Sequence, residues 1–394
     1  DDLSMGNDAN RSELYVYGTL TAVGTEAEKI VFTSNSEDPS SGDWYGIHLQ
    51  GSNAYASVSY NEIAYATYGI RMNGLGDPNT DTITLTNNHI HHCGSGIYDQ
   101  WGRRYYMIEG NLLEQLSGYG ILIQYGSRQS RGSIQNNIIL QTNEFGIYIH
   151  DADMFNLQGN VVNGGYNWGM YFTSSNRIEM LQDSVLNRNQ GVSFQSVSSG
   201  LVSENVTRWS EGVAFEVNYS NVVIEYSEMS SNGAGVSIHT NFENPTVDTL
   251  RFNQIINNNG FGIQNNEYGR PVVQYNDLYN NGGYDFQNNS TAWSELDARY
   301  NWWGQATTDS MDLGGNPKNI QKIYDFYDNS EYGFVNYGGW LNGPGGSPTA
   351  VTSTGAITLI NASGEAVLNY DVGEDVYVRV EDDDANADGG TAEA

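Results

Sequence analysis

Short runs of alternating apolar and polar residues recur along most of the chain. The segment "SIQNNIILQTNEFGIYIH" (133–150) contains two such runs, one after Asn137 and one after Gly146. The run that follows a glycine returns every 21 to 27 residues, at Gly46, Gly69, Gly96, Gly120, Gly146, Gly169, Gly191, Gly212 and Gly235. Alternation with period two predicts β-strands, and a recurrence interval of this size predicts a solenoid of stacked coils.

A polar residue precedes the other run at nearly the same interval, two positions before a mostly apolar side chain. These positions are Asn61, Asn88, Asn111, Asn137, Asn160, Asp183, Asn205, Ser227, Asn253, Asn276 and Asn301. An inward asparagine at one height in every coil can hydrogen-bond to its counterparts above and below. We therefore predict a structural ladder of these residues beside the core.

The pattern leaves little room for helix, because no stretch keeps an apolar period of about 3.6 residues for long. Strands this short are stable when each pairs with its counterpart in the next coil, ~4.8 Å away. The predicted fold class is all-β, a parallel β-helix (solenoid) of about 11–13 coils followed by a partial β-sandwich-like C-terminal segment.

Two parts of the chain resemble a known family. The segment "LYVYGTLTAVGTEAEKIVFTSNSEDPSSGDWYGIHL" (14–49) is similar to the opening coils of the right-handed parallel β-helix repeat family of secreted and cell-surface proteins. The segments "RYNWWGQATTD" (299–309) and "FVNYGGWL" (334–341) resemble its closing motif. The resemblance implies a right-handed solenoid, an extracellular or cell-surface location, and a closing role for Trp302 and Trp303. It implies no particular reaction, because this fold carries lyases, epimerases, esterases, adhesins and inert stalks.

Composition excludes several classes of protein. The chain has 394 residues, with 47 acidic and 16 basic ones, and a net charge of -31, which argues against a nucleic-acid binder. No apolar run approaches the ~20 residues of a membrane span, and the first residues lack a signal-peptide pattern. We expect that a signal has been removed or that the numbering begins inside a longer chain. Cys93 is the single cysteine, so an intrachain disulfide and a cysteine metal cage are excluded.

The composition changes after Leu341, where "NGPGGSPTAVTSTG" is typical of a linker. The predicted domains are 1–342 for the parallel β-helix, 343–355 for the linker and 356–394 for a partial immunoglobulin-like β module. That last segment resembles the start of modules found in large bacterial surface proteins. It is too short for a sandwich of about 100 residues, so we expect that the chain continues or that another subunit completes the sheet.

The acidic tail suggests one cation site. Oxygen-bearing side chains occupy positions one, three, five, seven and twelve of a calcium-loop-like pattern, namely Asp382, Asp384, Asn386, Asp388 and Glu393. Ala387 stands where such a loop requires glycine, so a solvated acidic loop remains the alternative to a calcium-stiffened linker. The sequence requires no other cofactor.

Inserted residues follow the glycine strands at 73–82, 100–106, 124–132 and 239–249, and we expect them to emerge on one side as a binding face. Adjacent insertions and the next coil supply candidate ligand-binding residues: Trp101, Arg103, Arg104, Tyr105, Tyr125, Arg128, Arg131, His150, Asp151 and Asp153. Arginines among aromatic rings suit a glycan that bears carboxylate or sulfate groups. The alternative is that these arginines balance nearby acidic residues across the loops.

The segment "NNHIHHC" (87–93) invites a metal interpretation, because His89 and His91 would share the outward face of a strand. Two imidazoles without a third ligand make a weak site. We therefore favour solvated histidines.

The leading functional interpretation is an extracellular structural and adhesive module of a larger bacterial surface or filament-forming protein, one that binds acidic glycans. The alternative is a polysaccharide lyase or epimerase acting on an acidic polysaccharide. The lack of lysine between positions 30 and 317 favours the first.

The strand edges of the first coil, which begins near Leu14, need a cover. Preceding residues, flanking modules, a partner or a second copy of the chain would supply it.

Overall fold

The computed structural model describes residues 12–51, 55–74, 82–240, 248–291, 295–349, 356–361, 363, 365, 367 and 375–381. It is a right-handed parallel β-helix in which each full coil contributes one strand to each of three parallel sheets, here called A, B and C. Sheet A has 13 strands, and sheets B and C have 11 each. The predicted fold class is confirmed.

Strands are numbered along the chain, and β1 to β34 follow the order A, B, C without interruption. The first half comprises β1 (Glu13–Val16), β2 (Thr19–Val23), β3 (Ile30–Phe32), β4 (Trp44–Gln50), β5 (Tyr55–Ser59), β6 (Asn61–Ala64), β7 (Ala66–Asn73), β8 (Thr82–Thr86), β9 (His89–His91), β10 (Ser95–Asp99), β11 (Tyr105–Glu109), β12 (Leu112–Leu116), β13 (Ile121–Ile123), β14 (Ser130–Gln135), β15 (Ile138–Thr142), β16 (Ile147–His150), β17 (Ala152–Gln158) and β18 (Val161–Gly165). The second half comprises β19 (Trp168–Thr173), β20 (Arg177–Leu181), β21 (Ser184–Leu186), β22 (Gln190–Gln195), β23 (Ser199–Ser203), β24 (Val206–Arg208), β25 (Val213–Asn218), β26 (Val222–Glu225), β27 (Glu228–Ser230), β28 (Ala234–Thr240), β29 (Thr249–Arg251), β30 (Gln254–Ile256), β31 (Ile263–Glu267), β32 (Val272–Gln274), β33 (Asp277–Tyr279) and β34 (Phe286–Ser290).

Inward apolar side chains stack on one another from coil to coil. One column on sheet A consists of Ile47, Ile70, Ile97, Ile121, Ile147, Met170, Val192, Phe215, Val236, Ile263 and Phe286. All of them are fully buried. Because each such burial is worth about 1.5–3 kcal/mol relative to exposure, these columns supply the main stabilisation of the solenoid.

The recurring glycines lie at the corner where the chain enters sheet A. A Cβ at Gly120 would stand 2.5 Å from the carbonyl oxygen of Gly146 in the next coil and 2.7 Å from Cγ2 of Ile139. Glycine is therefore required by the close approach of backbone and side chain at this corner.

The asparagine ladder lies at the corner between sheets B and C. Asn88 is a typical rung: its Nδ2 donates to Oδ1 of Asn111 (2.9 Å) and to the carbonyl oxygen of Val58 (2.9 Å). Its backbone N–H donates to the same Oδ1 at 3.0 Å. Each rung thereby joins three coils at a corner where the sheets leave backbone groups unpaired.

Asp183 is the anomalous rung of this ladder. Its Oδ1 accepts from the backbone N–H and Nδ2 of Asn160, both at 2.8 Å. Its Oδ2 is buried without a hydrogen-bond partner, where an asparagine would carry a donor. Burial raises the pKa of Asp183 from 3.8 to about 7.

A second ladder, which the sequence analysis missed, lies at the corner between sheets C and A. Asn232 donates to Asn258 (3.1 Å), Asn258 to Asn281 (3.0 Å), and Asn281 to Oδ1 of Asp285 (2.9 Å). Burial raises the pKa of Asp285 to about 6. This second ladder begins only at Asn232, so its members are hard to distinguish in the sequence from the many other asparagines of the repeat.

Arg188 fills the same corner in earlier coils. Its Nη1 donates to the carbonyl oxygens of Thr142 (3.1 Å) and Gly164 (2.6 Å), and its Nη2 to those of Glu144 (2.7 Å) and Trp168 (2.8 Å). Burial lowers the pKa of its guanidinium to about 10, so it stays charged at neutral pH. One side chain therefore hydrogen-bonds to backbone carbonyl groups of two preceding coils.

The C-terminal end of the solenoid is covered by a compact segment. It contains β35 (Leu296–Asp297), α1 (Gln305–Asp312), β36 (Ile323–Tyr324) and β37 (Val335–Asn336), and Trp302 and Trp303 are buried beneath it. With eight residues, α1 is in keeping with the expectation that the chain contains little helix. Two buried residues one turn apart, Thr308 and Met311, are too short an apolar pattern to reveal this helix.

Beyond the solenoid, β38 (Ala356–Ile360) and β39 (Tyr377–Glu381) pair antiparallel. The five predicted calcium ligands, from Asp382 to Glu393, lie outside the described residues. The calcium site therefore stays a prediction.

Replacing Asp183 by asparagine is expected to stabilise the protein at alkaline pH. The raised pKa means that the folded state loses stability as the pH rises from about 4 to 7 and the carboxyl group ionises. Asp183→Asn should therefore raise the free energy of unfolding by about 2 to 4 kcal/mol at pH 8 and leave it nearly unchanged at pH 4. Urea denaturation at both pH values measures this difference.

The matched control is Asn111→Asp, which places a carboxyl group in an ordinary rung. It should reproduce the defect, with a loss of stability at pH 8 that disappears at pH 4. An equal effect of either substitution at both pH values would contradict the ionisation argument.

Candidate functional site

Two loops that follow adjacent strands of sheet A bring three rings together. Trp101 follows β10, Tyr125 follows β13, and His150 ends β16. The rings of Trp101 and Tyr125 stack at 5.1 Å between centroids, and the His150 ring meets Tyr125 edge-on at 5.1 Å. Trp101 is 44% and Tyr125 43% exposed, so this aromatic trio presents ring surface to solvent.

The loop that carries Trp101 is anchored from inside the solenoid. Asp99 is fully buried, and its Oδ2 accepts from Nη1 of Arg104 (3.0 Å) and from the hydroxyl of Tyr106 (2.7 Å). Its Oδ1 accepts from the backbone N–H of Trp101 at 3.1 Å. Nη2 of Arg104 also donates to the carbonyl oxygen of Gly51 at 3.1 Å. A buried ion pair is tolerated when it is hydrogen-bonded in this way, and it fixes the backbone of the loop.

The loop that carries Tyr125 is strained and is held by Asp151. Tyr125, Ser127 and Arg128 have φ values of 57°, 51° and 55°, in the left-handed region that costs a non-glycine residue about 1 kcal/mol. Oδ2 of Asp151 accepts from the N–H of Ser127 (2.8 Å), and its carbonyl oxygen accepts from the N–H of Arg128 (2.7 Å). Non-glycine residues at many other corners of the solenoid also have positive φ values, so this conformation is a feature of the repeat.

The structure separates the predicted arginines. Arg104 is fully buried and pairs with Asp99, so its placement among ligand-contacting residues is corrected: the side chain points inward. Nε of Arg103 donates to Oε1 of Gln129 at 2.8 Å, and Nε of Arg128 lies 3.9 Å from Oδ1 of Asp151. The contacts of Arg104 and Arg128 match the charge-balancing alternative, whereas Arg103 is bonded to a neutral amide.

The remaining candidates lie on strands of sheet B. Tyr105 and Arg131 are partners in register on sheet B, at the start of β11 and near the start of β14. Oδ1 of Asp153 accepts from Nδ2 of Asn176 at 3.1 Å. Of the ten predicted residues, the structure therefore brings into direct ring contact Trp101, Tyr125 and His150.

A surface that the sequence analysis missed extends from the trio along the outside of sheet A. Its rings, here called the aromatic strip, are Tyr98, Tyr119, Phe145, Tyr148, Trp168 and Tyr171. Neighbouring centroids are 6.1 Å apart for Tyr98 and Tyr119, 5.1 Å for Phe145 and Tyr148, and 5.5 Å for Tyr148 and Tyr171. The Tyr148 ring also lies 6.4 Å from His150. The signal in the sequence is an aromatic residue directly before, or two positions after, several of the recurring glycines.

The protonation states of this surface are set by partial burial. Burial, with smaller contributions from neighbouring tyrosines, raises the pKa of Tyr148 to about 12. Burial lowers the pKa of His150, and the charge of Asp151 opposes this shift. At neutral pH the surface therefore presents a neutral phenol and an imidazole that favours its neutral form, whose Nδ1 is buried without a hydrogen-bond partner.

The histidine segment pairs with glutamates on the outside of sheet C. Nε2 of His89 lies 2.8 Å from Oε1 of Glu114, and Nε2 of His91 lies 3.5 Å from Oε1 of Glu62. Burial and the neighbouring histidines lower the pKa of His91. In the described part of the chain, no three His, Cys, Asp or Glu side chains are grouped as a metal site requires.

Residues 20–185 match the family model described as the right-handed β-helix region. The strands after residue 185 continue the same order of three sheets. Curated protein sequences provide no significant match. Among solved structures, the chain is similar to the A-module of the mannuronan C-5 epimerase AlgE6 from Azotobacter vinelandii, with a TM-score of 0.45 and 12% identity over 83% of this chain and 90% of that one. Within the described residues, no helix is long and apolar enough to span a membrane.

Removing the positive charge of Arg104 is expected to destabilise the fold. Arg104→Met leaves the buried carboxylate of Asp99 without its cation, which costs roughly 3–5 kcal/mol of unfolding free energy. The neighbouring Arg103→Met removes an exposed guanidinium and should cost less than about 1 kcal/mol. Urea denaturation of the two variants measures the contrast, and equal stabilities would contradict the anchoring role of the Asp99–Arg104 pair.

Proposed function

We propose that the protein is an extracellular structural and adhesive module that binds a glycan at the aromatic trio and along the aromatic strip. The observation that carries this proposal is the pair of stacked, half-exposed rings, Trp101 and Tyr125, on loops anchored by Asp99 and Asp151. Loops of this kind are maintained at a cost in backbone strain and buried charge.

Ring surface of this type suits sugars. The flat faces of Trp and Tyr pack against the apolar C–H faces of a pyranose, while the phenol hydroxyls hydrogen-bond to its hydroxyl groups. Because the rings are already held in position, little side-chain entropy is lost when a ligand binds. Preorganised aromatic anchors therefore favour a binding role.

The scaffold supports the structural part of the proposal. A continuous core, a corner ladder and backbone pairing between all coils make the solenoid a stiff rod. A stiff rod with a lateral binding surface holds a ligand at a fixed distance from whatever carries the module. Flanking modules or copies of this chain would extend that arrangement.

A second candidate function is a polysaccharide lyase or epimerase. It is favoured by one observation, the imidazole of His150 beside the rings of Tyr125 and Tyr148, with a lowered pKa that favours its neutral form. A neutral imidazole beside phenols is suited to take a proton from a sugar carbon. Incubation with acidic polysaccharides in D₂O, followed by NMR and by absorbance of unsaturated products, tests this activity, and His150→Ala should abolish any that is found.

Loss of either stacked ring is expected to weaken glycan binding. Trp101→Ala and Tyr125→Ala should each lower the affinity about tenfold, because each removes a preorganised stacking surface. A glycan array identifies the ligand, and affinity electrophoresis in gels containing that glycan measures the loss.

The matched controls are Tyr226→Ala and Phe252→Ala. These rings are also stacked and are 57% and 42% exposed, but they lie at the corner between sheets B and C. Their loss should leave binding unchanged. Equal losses for all four variants, or no glycan bound by the unaltered protein, would overturn the proposal.

A further inference from the structure

The aromatic strip continues without a break in register into a surface of different chemistry. One column on the outer face of sheet A runs through Tyr98, Leu122, Tyr148, Tyr171, Ser193, Glu216, Ser237, Gln264 and Gln287. Of these, Leu122, Ser193 and Ser237 are buried between their neighbours. A second column on the same face lies two residues further along each strand. It consists of His150, Thr173, Gln195, Asn218, His239, Asn266 and Asn289. After Tyr171 and Thr173 the side chains are amides, hydroxyls, one imidazole and one carboxylate; this part is called the amide sector.

Hydrogen bonds link the amide sector along the solenoid axis. Asn289 donates to Asn266 at 3.1 Å, and Gln264 donates to Gln287 at 3.3 Å. Oδ1 of Asn218 is buried without a partner. Further hydrogen bonds lie within the sector: Nε2 of Gln195 donates to Ser193 and Glu216, and Nδ2 of Asn266 contacts His239 and Gln264. Each amide oxygen has two lone pairs, so acceptor capacity is left beyond these contacts. The sector therefore presents ordered, mutually hydrogen-bonded polar side chains on the same sheet face as the rings.

The charge of this face disfavours a polyanion. Within the described residues of the two columns between Arg71 and Gln287, the charged side chains are Arg71 and Glu216. The Arg71 guanidinium lies over the rings of Tyr45 and Tyr68, at 5.5 and 5.0 Å from their centroids. The protein as a whole carries a charge of -31, which repels anionic chains.

The repeat of the face fits a linear polymer. Equivalent side chains of successive coils are ~4.8 Å apart, which is close to the length of one sugar unit in an extended chain. A chain parallel to the solenoid axis would therefore place about one sugar over each coil. Aromatic stacking would hold the units over β10 to β19, and hydrogen bonds to hydroxyl groups would hold those over β22 to β34.

We propose that the ligand is a neutral, linear polysaccharide that lies along sheet A parallel to the solenoid axis and spans both the aromatic strip and the amide sector. This inference rests on the proposed glycan-binding function and adds the charge, the direction and the length of the ligand. It departs from the acidic glycan that the arginines suggest in the sequence.

The test uses the full chain and two sets of linear oligosaccharides. The neutral set contains β-1,4-linked gluco-, manno- and xylo-oligosaccharides, and the acidic set contains oligogalacturonates and oligomannuronates, each in short and long forms of up to about four and about nine units, matching four and nine coils. Isothermal titration calorimetry at low and high salt gives the dissociation constants. We expect at least tenfold tighter binding of the long form of one neutral series, with no salt dependence.

Variants separate the two surfaces. Asn218→Ala and Asn266→Ala should reduce the affinity for the long oligosaccharide towards that of the short one and leave the short one unaffected. Trp101→Ala should weaken both. Asn163→Ala, on the outer face of sheet C, is the control and should change neither.

The outcomes distinguish this inference from the function on which it rests. Tighter binding of an acidic series that weakens with salt would overturn the neutral assignment and leave glycan binding standing. Equal affinities for short and long chains, or no effect of the amide variants, would overturn the axial span. Failure of every oligosaccharide to bind, while the glycan array identifies another ligand, would overturn this inference alone. Failure of every glycan on the array as well would overturn both proposals.

Discussion

Backbone hydrogen bonding from each coil to the next is the constraint on which the rest of this structure depends. Parallel pairing at ~4.8 Å fixes every residue directly above its equivalent in the preceding coil. Like side chains are therefore stacked on like ones, and an interaction that works once is repeated along the axis. The inward apolar column of sheet A, the asparagine ladder and the aromatic strip are three results of this single constraint.

The same constraint explains which features were predictable from the sequence. The glycine and asparagine positions recur at coil length, so strands, corners and the ladder follow from spacing alone. The pairing of Asp99 with Arg104 does not follow from spacing. Arg104 points inward and Arg103 outward, and this difference depends on how the loop is folded. The aromatic strip went unnoticed because its rings alternate with core residues and resemble ordinary strand composition. α1 departs from the repeat, so a pattern based on the repeat could not reveal it.

Polar groups inside the solenoid divide into two kinds. Ladder asparagines and Arg188 satisfy backbone groups at the corners, where sheet hydrogen bonding ends, and they hold the coils together. Asp99 and Asp151 instead hold loops that leave the regular path and carry exposed rings. Asp183 belongs to the first kind as a rung of the ladder, although its second oxygen is left without a partner. The loop anchors fix segments that lie outside the regular coil path, which is why they point to a function.

The register of sheet A, which is uninterrupted from β7 to β34, bears on how such a protein can change over evolutionary time. A whole coil inserted or lost between two others would leave the inward columns, the ladder and the outward columns in line, because every coil ends where the next begins. A partial coil would break all of them together. The length of the outer face of sheet A can thus increase or decrease in steps of one coil. Duplication or loss of coils would adapt this face to longer or shorter partners without changing any contact within a coil.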